Sequence, residues 1–347
     1  MSSSDVQISI RLDGSQEIYH SGETVKGVVV AKVNTFLRVS VLKAEFEGMY
    51  TYRNKYGGFH KQVIKNYEVK LDMDGKISDI NPGRYHSPFS FTLDQSFPSS
   101  LVCLAGSVEY KITAKCGYKL SNDSSIEKTE SVNYISVNRY LDLRDKPFAL
   151  VGAQLKHVHP TGWCYWCCGQ DLQISMEIKK RAFVAGERIE VSAAINNETS
   201  QIVSKTELDV IQTVKTKINR KVKQKVVRKE RGMVMDHTEQ VWINESLLVP
   251  SVPPTSDDYN MTVSYLLRML LTLDNGKLIK LVIPIVIGNV PVDTSIIEGA
   301  GSELSFMYTG EISGGDVVQC NYIPSYIVYR FSPDALPSAP TVEEPTA

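Results

Sequence analysis

Tyr19-His20-Ser21-Gly22-Glu23-Thr24-Val25 is matched, 164 positions later, by Phe183-Val184-Ala185-Gly186-Glu187-Arg188-Ile189. Both stretches place an aromatic residue three positions before a Gly-Glu pair and a β-branched residue two positions after the glutamate. The phrases Gln7-Ile8-Ser9-Ile10 and Gln173-Ile174-Ser175-Met176 precede them in the same order. A repeat at this distance indicates two similar domains rather than a solenoid of short units.

The alternation of apolar side chains keeps the same register in both copies. A shift of 164 positions places Ala44, Phe46 and Tyr50 on Leu208, Val210 and Val214. Apolar residues at every second position are typical of a half-buried strand, and a slip of one residue would turn them all to the wrong face. A further shared fragment, Val108-Glu109-Tyr110 against Val263-Ser264-Tyr265, lies near the end of each copy. The two copies therefore share several strands.

Strand and turn signals alternate along the whole chain. The segments 25–33, 203–218 and 278–287 are rich in β-branched residues, and pairs such as Asp13-Gly14 and Asn275-Gly276 separate such runs. We therefore predict an all-β protein with two tandem immunoglobulin-like β-sandwich domains. The glycine of each Gly-Glu phrase should occupy a turn that needs a positive φ, and the glutamate should cap or pair locally.

The predicted organisation has four parts. We assign residues 1–140 to the first sandwich, 141–170 to a short interdomain linker with a cysteine cluster, 171–292 to the second sandwich and 293–347 to a C-terminal tail. The tail is expected to be partly disordered, because proline, serine and acidic residues dominate from Phe331 onward. Within it, the aromatic segment from Asp316 to Tyr329 resembles a strand that docks against a domain.

Composition excludes several classes of protein. The chain has 347 residues, 42% hydrophobic and 22% charged, with a formal net charge of −1. These values suit an ordinary globular protein with no global attraction to nucleic acid. No apolar run approaches the roughly 20 residues of a membrane span. The N-terminal segment has no secretory signal, and six cysteines make no disulfide framework, so we expect a cytoplasmic protein.

The ordered motifs resemble the arrestin family, and most closely the α-arrestins, or arrestin domain-containing proteins. The residues that carry the resemblance are Tyr19–Val28, Phe97–Leu101, Val108–Tyr110, Asp142–Pro147, Phe183–Asn197 and Leu281–Val290. The resemblance implies two tandem sandwiches, no enzymatic activity and no cofactor. It further implies a trafficking adaptor at the plasma membrane and endosomes that binds receptor or transporter tails. Such adaptors recruit ubiquitin ligases and endosomal sorting machinery.

A basic run in the second copy is the largest local departure from the near-neutral charge. Nine of the seventeen residues from 215 to 231 are cationic, namely Lys215, Lys217, Arg220, Lys221, Lys223, Lys225, Arg228, Lys229 and Arg231. Valines interrupt the run, which indicates a strand pair with a cationic outer face. We predict a docking surface for anionic lipid or for an acidic or phosphorylated cargo tail. The alternative is an edge strand protected by lysine. Nucleic acid is not expected, because the run has no interleaved aromatic residues.

The linker holds a second cluster, in which His157-Val158-His159 precedes Cys164, Cys167 and Cys168. These cysteines are candidates for lipidation beside Trp163, or for binding a metal ion together with the histidines. Packing of the linker between the domains is the alternative, so we assign no metal.

The tail contains a candidate partner-binding motif, Pro337-Ser338-Ala339-Pro340. It resembles the late-domain motif that the ubiquitin-E2-variant domain of the endosomal sorting complex reads. Prolines preset an extended conformation, which lowers the entropy cost of docking. The Pro-Pro-x-Tyr motif by which the family recruits ubiquitin ligases is not intact in this chain, since Ile323-Pro324-Ser325-Tyr326 lacks its first proline.

The sequence therefore predicts a non-enzymatic adaptor in membrane-protein trafficking. No Gly-x-Ser-x-Gly elbow, phosphate-binding glycine loop or catalytic constellation is found. Two alternatives stay open. One is a sorting-coat scaffold of the retromer-associated arrestin-like kind, and the other is a zinc- or ligand-binding β-protein that uses the linker cluster.

Overall fold

The computed structural model of the protein describes residues 5–15, 18–54, 56, 58–72, 79–120, 125–160, 171–306 and 322–332. The strands of the first half are β1 (Val6–Leu12), β2 (Ile18–His20), β3 (Thr24–Val33), β4 (Leu37–Arg53), β5 (Phe59–Lys70), β6 (Asp79–Ile80), β7 (Gly83–Thr92), β8 (Leu101–Cys103), β9 (Gly106–Leu120) and β10 (Glu127–Asn138). Short 3₁₀ turns span Asp13–Ser15 and Leu143–Asp145.

The second half adds eleven strands within the described residues. These are β11 (Ala153–Pro160), β12 (Asp171–Ile178), β13 (Ala182–Val184), β14 (Arg188–Asn197), β15 (Val203–Thr216), β16 (Lys221–Arg231), β17 (Thr238–Leu248), β18 (Met261–Leu273), β19 (Leu278–Gly288), β20 (Ile297–Leu304) and β21 (Ser325–Phe331). The predicted all-β class is therefore confirmed.

The two halves share a sheet topology, except that the smaller sheet of the second half has one additional strand, β11. In the first, a sheet with strand order β1-β3-β7 accompanies a larger sheet with order β2-β10-β9-β4-β5. In the second, β11-β12-β14-β17 accompanies β13-β19-β18-β15-β16. Strands β2 and β13, which carry the start of the Gly-Glu phrase, each pair in parallel with the last strand of their domain. The prediction of two tandem sandwiches is confirmed.

The shared register reflects burial of the same face in both central strands. Strands β4 and β15 lie in the middle of their sheets, and the residues that the 164-residue shift superposes are all at most 3% exposed, namely Ala44, Phe46, Tyr50, Leu208, Val210 and Val214. Burial of each such side chain contributes about 1.5–3 kcal/mol. Because every second residue of both strands faces the core, a register shift of one residue in either strand would expose these apolar side chains.

The Gly-Glu phrase forms the same turn twice. Gly22 and Gly186 have φ of 91° and 89°, a conformation that glycine adopts at little cost. The glutamate then folds back on the turn. Glu23 Oε2 accepts a hydrogen bond from the backbone N–H of His20 at 2.8 Å, and Glu187 Oε2 accepts one from Val184 at 3.1 Å. Both predictions for this phrase, the positive φ and the local pairing of the glutamate, are confirmed.

The shared Val-x-Tyr fragment also performs one task in both domains. The Tyr110 hydroxyl donates to the carbonyl of Pro98 at 2.8 Å, and the Tyr265 hydroxyl donates to that of Pro253 at 2.6 Å. Both rings are almost fully buried. Each tyrosine thus ties the loop before its strand to the core and satisfies a buried carbonyl group.

Strand β11 lies inside the range that the sequence assigns to the linker. It pairs in antiparallel fashion with β12 over its whole length, so it extends the smaller sheet of the second domain. Ala153 and Leu155 pack against the core, which explains why the strand forms. Residues 161–170 lie outside the described residues, and the predicted domain boundaries stay predictions.

Side chains of both domains meet in a polar contact. The Tyr50 hydroxyl donates to Asp258 Oδ1 at 2.9 Å, and this carboxylate also accepts the backbone N–H of Asn260 at 2.8 Å. Asn289 joins the segment between the domains to the second one, because its side chain accepts from Leu141 N at 2.7 Å and donates to the carbonyl of Arg139 at 2.7 Å. Burial, followed by the charge of Asp258, raises the pKa of Tyr50 well above its ordinary value.

The hairpin of β20 and β21 contacts both domains. The buried Tyr326 donates from its hydroxyl to the carbonyl of Ser100 at 2.9 Å, and Ser325 N donates to Ser136 Oγ at 2.8 Å. At the other end, Tyr329 N donates to the carbonyl of Ala185 at 3.0 Å. The predicted docking of this aromatic segment is confirmed for residues 325–329.

We predict that Gly186→Ala destabilises the second domain more than Gly276→Ala. Both glycines have a positive φ, which costs an alanine about 1–2 kcal/mol. A Cβ at Gly186 would also collide with the backbone carbonyl of Tyr329, whereas none of the described atoms lies within 4 Å of a Cβ at Gly276. Such overpacking adds about 1–3 kcal/mol.

Urea unfolding of the two variants measures the difference. The comparison controls for the cost of φ, because only the collision distinguishes the two sites. Equal losses of unfolding free energy would show that β21 does not rest against this turn.

Candidate anion-docking surface

Strand β16 forms one edge of the larger sheet in the second domain and carries most of the basic run. It pairs with β15 in antiparallel fashion, with Lys221 opposite Lys215 and Lys223 opposite Thr213. Val222 and the buried Val226 pack on the core side, so the cations between them project to the outer face. The predicted strand pair with a cationic outer face is therefore present, and its nine cations fall into three groups.

The first group pairs with acids of neighbouring strands, and two of its members lie beside acids on the outer face of β15. Lys225 Nζ lies 3.1 Å from Glu207 Oε1, and Arg228 Nη2 lies 2.5 Å from the same oxygen. Glu207 is only 6% exposed, and Asp209, two residues further along β15, is fully buried. Arg268 on β18 donates from Nε to Asp209 Oδ1 at 3.0 Å. Burial acts to raise the pKa of Glu207, but the hydrogen bond from Lys225 and the surrounding cations outweigh it and lower this pKa. Lys225 and Arg228 are thus structural.

The same group includes two cations that pair with Glu245 on β17. Lys229 Nζ lies 2.8 Å from Glu245 Oε2, and Arg231 pairs with the other oxygen. The Arg231 guanidinium also lies 4.5 Å from the centre of the Trp242 ring and donates to the carbonyl of Val241 at 2.7 Å. The hydrogen bond from Lys229 is the main cause that lowers the pKa of Glu245. These contacts join the edges of the two sheets.

The second group lies at the contact with the first domain. Lys217 donates to the side-chain oxygen of Gln62, and its ammonium lies 5.1 Å from the centre of the Tyr52 ring. Arg220 Nη1 donates to the carbonyl of Asn54 at 2.7 Å. These two cations therefore hold the turn between β15 and β16 against the hairpin of β4 and β5.

The third group consists of Lys215, Lys221 and Lys223, which we call the lysine triad. All three side chains are exposed, and none has an ion pair or a side-chain hydrogen bond within the described part of the chain. Lys215 and Lys221 face each other directly across the strand pair, an arrangement that costs free energy because like charges repel. A bound anion would relieve this repulsion.

Hydroxyl groups lie beside the triad on the same face of the sheet. By register, Thr213 lies opposite Lys223 on one side and Ser264 on the other, and Thr262 lies opposite Lys215. Cross-strand partners share a face of the sheet, so these hydroxyls border the three ammonium groups. The hydroxyls of Thr262 and Ser264 already donate to backbone carbonyls, those of Asp258 at 3.1 Å and Thr213 at 3.5 Å. The three ammonium groups are therefore the donors that this patch offers to a phosphate or carboxylate ligand.

The structure therefore divides a set that the sequence treats as one. Six of the nine cations have partners in the fold. The acidic partners Glu207, Asp209 and Glu245 could not be found from the basic run itself, because they lie on neighbouring strands. The alternation of Glu207 and Asp209 on one face of β15 is a sequence signal for these two acids, but it does not indicate Glu245, which lies on β17.

The other candidate residues lie mostly outside the described residues. This applies to Cys164, Cys167 and Cys168 and to the motif Pro337-Ser338-Ala339-Pro340. His157 and His159 lie on β11, where their ring centres are 6.1 Å apart. Burial, followed by the charge of Lys277, lowers the pKa of His159. Among the described residues, no group of three or more His, Cys, Asp or Glu side chains could hold a metal ion.

Comparison with known proteins agrees with this architecture. The family model described as Arrestin (or S-antigen), N-terminal domain, matches residues 8–143, and the model for the C-terminal domain matches residues 169–292. The chain belongs to the α-arrestin family. It is 24% identical over 299 residues to arrestin domain-containing protein 4 of Mus musculus, covering 80% of this chain and 70% of that protein.

Two further relatives give the same result for this α-arrestin. Identity is 25% over 301 residues with arrestin domain-containing protein 4 of Homo sapiens, across 80% of this chain and 70% of that protein. Identity is 26% over 312 residues with arrestin domain-containing protein 17 of Caenorhabditis elegans, across 82% of this chain and 71% of that protein. Membership implies the adaptor role of arrestins. None of the helices in the described residues is long and apolar enough to cross a membrane.

We predict that Glu245→Gln lowers stability at neutral pH and that the loss disappears in acid. Each partly exposed ion pair contributes about 0.2–1 kcal/mol, so the two pairs give about 1 kcal/mol. Because folding lowers the pKa of Glu245, this stabilisation is present above the ordinary value near 4.5 and is lost as the pH falls through the folded-state pKa.

Unfolding in urea between pH 7 and pH 3 measures this change. Glu239→Gln, an exposed position on the same strand, is the control and should give a small difference from the parent that does not vary with pH. A loss for Glu245→Gln that stays constant down to pH 3 would contradict the assignment of Glu245 as a charged partner.

Proposed function

We propose that this α-arrestin is a non-enzymatic adaptor in membrane-protein trafficking. It connects receptor or transporter cargo to endocytic, ubiquitin-ligase or endosomal sorting machinery, and it works in the cytoplasm at the plasma membrane and endosomes. Family membership and the two-sandwich scaffold support this proposal. In the described residues, the conspicuous features outside the scaffold are surfaces and not a catalytic arrangement.

The observation that carries the proposal is the lysine triad. Lys215, Lys221 and Lys223 project from an edge strand, and no acid of the described fold neutralises them. Near an anionic leaflet, each basic residue contributes about 1 kcal/mol, so the triad would supply about 3 kcal/mol. That free energy corresponds to roughly a hundredfold change in affinity. An acidic or phosphorylated cargo tail would meet the same charges.

Partner recruitment is proposed for the tail. The motif Pro337-Ser338-Ala339-Pro340 is the candidate contact with endosomal sorting machinery, and Cys164, Cys167 and Cys168 are candidates for lipidation. Both proposals rest on the sequence. These 347 residues contain no intact Pro-Pro-x-Tyr motif.

Charge reversal of the triad tests the docking surface. We expect the triple variant K215E/K221E/K223E to lose flotation with vesicles that contain phosphatidylserine. We expect it also to lose binding to a phosphoserine-rich peptide, if cargo tails are the ligand. The loss should reach at least tenfold near 0.15 M salt and shrink as salt rises, because the Debye length there is about 8 Å.

The matched control is K61E/K65E/K70E, which changes the net charge equally. These exposed lysines lie on β5, the strand of the first domain that corresponds to β16. Vesicle and peptide binding should survive in the control. Equal loss in both variants would show that net charge governs binding, and unchanged binding in the triad variant would refute the docking surface.

Proximity labelling in cells tests the adaptor role itself. The expected partners are membrane proteins together with ubiquitin ligases or sorting components. A reproducible partner set that contains none of these classes would refute the role, whatever the vesicle assays give.

A further inference from the structure

A cavity lies where the β20–β21 hairpin meets the second domain. It has a volume of about 540 Å³ and lies beside the Gly-Glu turn of the second domain. Its apolar lining includes Phe183 from β13, Leu248 at the end of β17, Ile296 just before β20, and Phe331 at the end of β21. Leu248 is 48% exposed, and it lines the cavity together with the other three apolar side chains. Cavities of this size, lined mainly by apolar groups, are typical of sites for small ligands.

The rim of the cavity is cationic. Lys179 pairs with Glu190 at 2.9 Å, and Lys180 pairs with Glu187, so these four charges cancel. Glu187 is additionally held by the backbone N–H of Val184. Both acids at the rim are thus occupied by partners within the fold.

Two arginines at the rim are left without an acid. Arg188 Nη1 donates to the neutral hydroxyl of Ser246 at 3.0 Å, and Arg330 on β21 is exposed. No ion pair of either guanidinium is found within the described residues. The rim therefore carries two uncompensated positive charges beside an apolar surface.

The hairpin makes this site specific to the second domain. In the first domain, the Gly-Glu turn faces the side chain of Gln95, which lies 3.2 Å from a Cβ built on Gly22. In the second domain, the corresponding turn faces the backbone of Tyr329 on β21, whose following residues form a wall of the cavity. The cavity thus depends on a segment that is not part of the repeat.

We propose that this cavity binds an amphipathic anion, in which a carboxylate or phosphate is joined to an aliphatic or aromatic body. The body fills the space between Phe183, Leu248 and Phe331, and the anionic group pairs with Arg188 and Arg330. Guanidinium groups suit this task, because they bind carboxylate and phosphate through two parallel hydrogen bonds. The site uses none of the residues of the lysine triad, so it is independent of the proposed docking surface.

Isothermal titration of the full chain with dodecanoate tests the proposal. Two probes separate its parts, since acetate has the carboxylate without the chain and dodecyltrimethylammonium has the chain with the opposite charge. We expect dodecanoate to bind with a stoichiometry of one and at least tenfold more tightly than dodecyltrimethylammonium, and we expect acetate to give no detectable heat.

Three variants locate the binding site. R188Q/R330Q should weaken dodecanoate binding at least tenfold by removing the charge, and Leu248→Trp should do so by filling the cavity. Arg84→Gln, an exposed arginine on β7, should leave the affinity unchanged. Thermal unfolding of each variant verifies that it is folded.

Failure of dodecanoate to bind would overturn the proposal. So would equal affinity for the cationic probe, or undiminished binding to both folded cavity variants. Binding that only R188Q/R330Q weakens would also overturn it, because the anion would then be held at the rim and not in the cavity.

Discussion

Burial of alternate side chains on the two central strands is the constraint on which the rest of the structure depends. Phe46 on β4 and Val210 on β15 occupy equivalent positions, and both are almost fully buried. Each strand has hydrogen-bonded neighbours on both sides, so its register also sets that of the adjoining strands. The core face therefore cannot change without loss of the fold, whereas the outer face is free to differ between the domains.

The outer faces do differ. On the first domain, Lys43 and Lys115 flank Glu45 at 2.6 and 2.5 Å, and Lys111 pairs with Glu47 at 2.7 Å, so the central strands balance their own charge. On the second domain, the acids of β15 form ion pairs with cations of the edge strand β16. That strand thus carries more positive charge than an edge needs for protection against aggregation. The paired cations stabilise the sheet, and the lysine triad lies unpaired at one end of the strand, within the described part of the chain.

The hairpin of β20 and β21 changes the second domain in another way. It lies against the turn that the repeat provides, and it reaches the first domain through Tyr326. The same backbone contact that requires glycine at position 186 brings Phe331 and Arg330 beside Phe183. The Gly-Glu turn of the second domain is thereby bordered by the Phe331 side chain and the positive charge of Arg330. The corresponding turn of the first domain has neither.

Much of the fold could be predicted from the sequence, since it depends on local rules. The period of two in residues 44–50 and 208–214 predicts strands with a buried face, and the Gly-Glu phrase predicts its turn. The division of the basic run could not be predicted, because it depends on which acids lie across the ladder. Glu245 is 14 residues from Arg231 in the chain, yet the two side chains are in contact. Strand β11 was missed because its short apolar alternation, at Ala153 and Leu155, lies within a segment read as a linker.

A footprint of lysine acetylation on the full chain, with and without vesicles that contain phosphatidylserine, tests the division of β16 into structural and free cations. Vesicles should protect Lys215, Lys221 and Lys223 from the reagent. Lys225 and Lys229, which are held by Glu207 and Glu245, should react slowly in both samples. Protection spread evenly over all exposed lysines, or confined to Lys225 and Lys229, would contradict the division of β16 into structural and free cations.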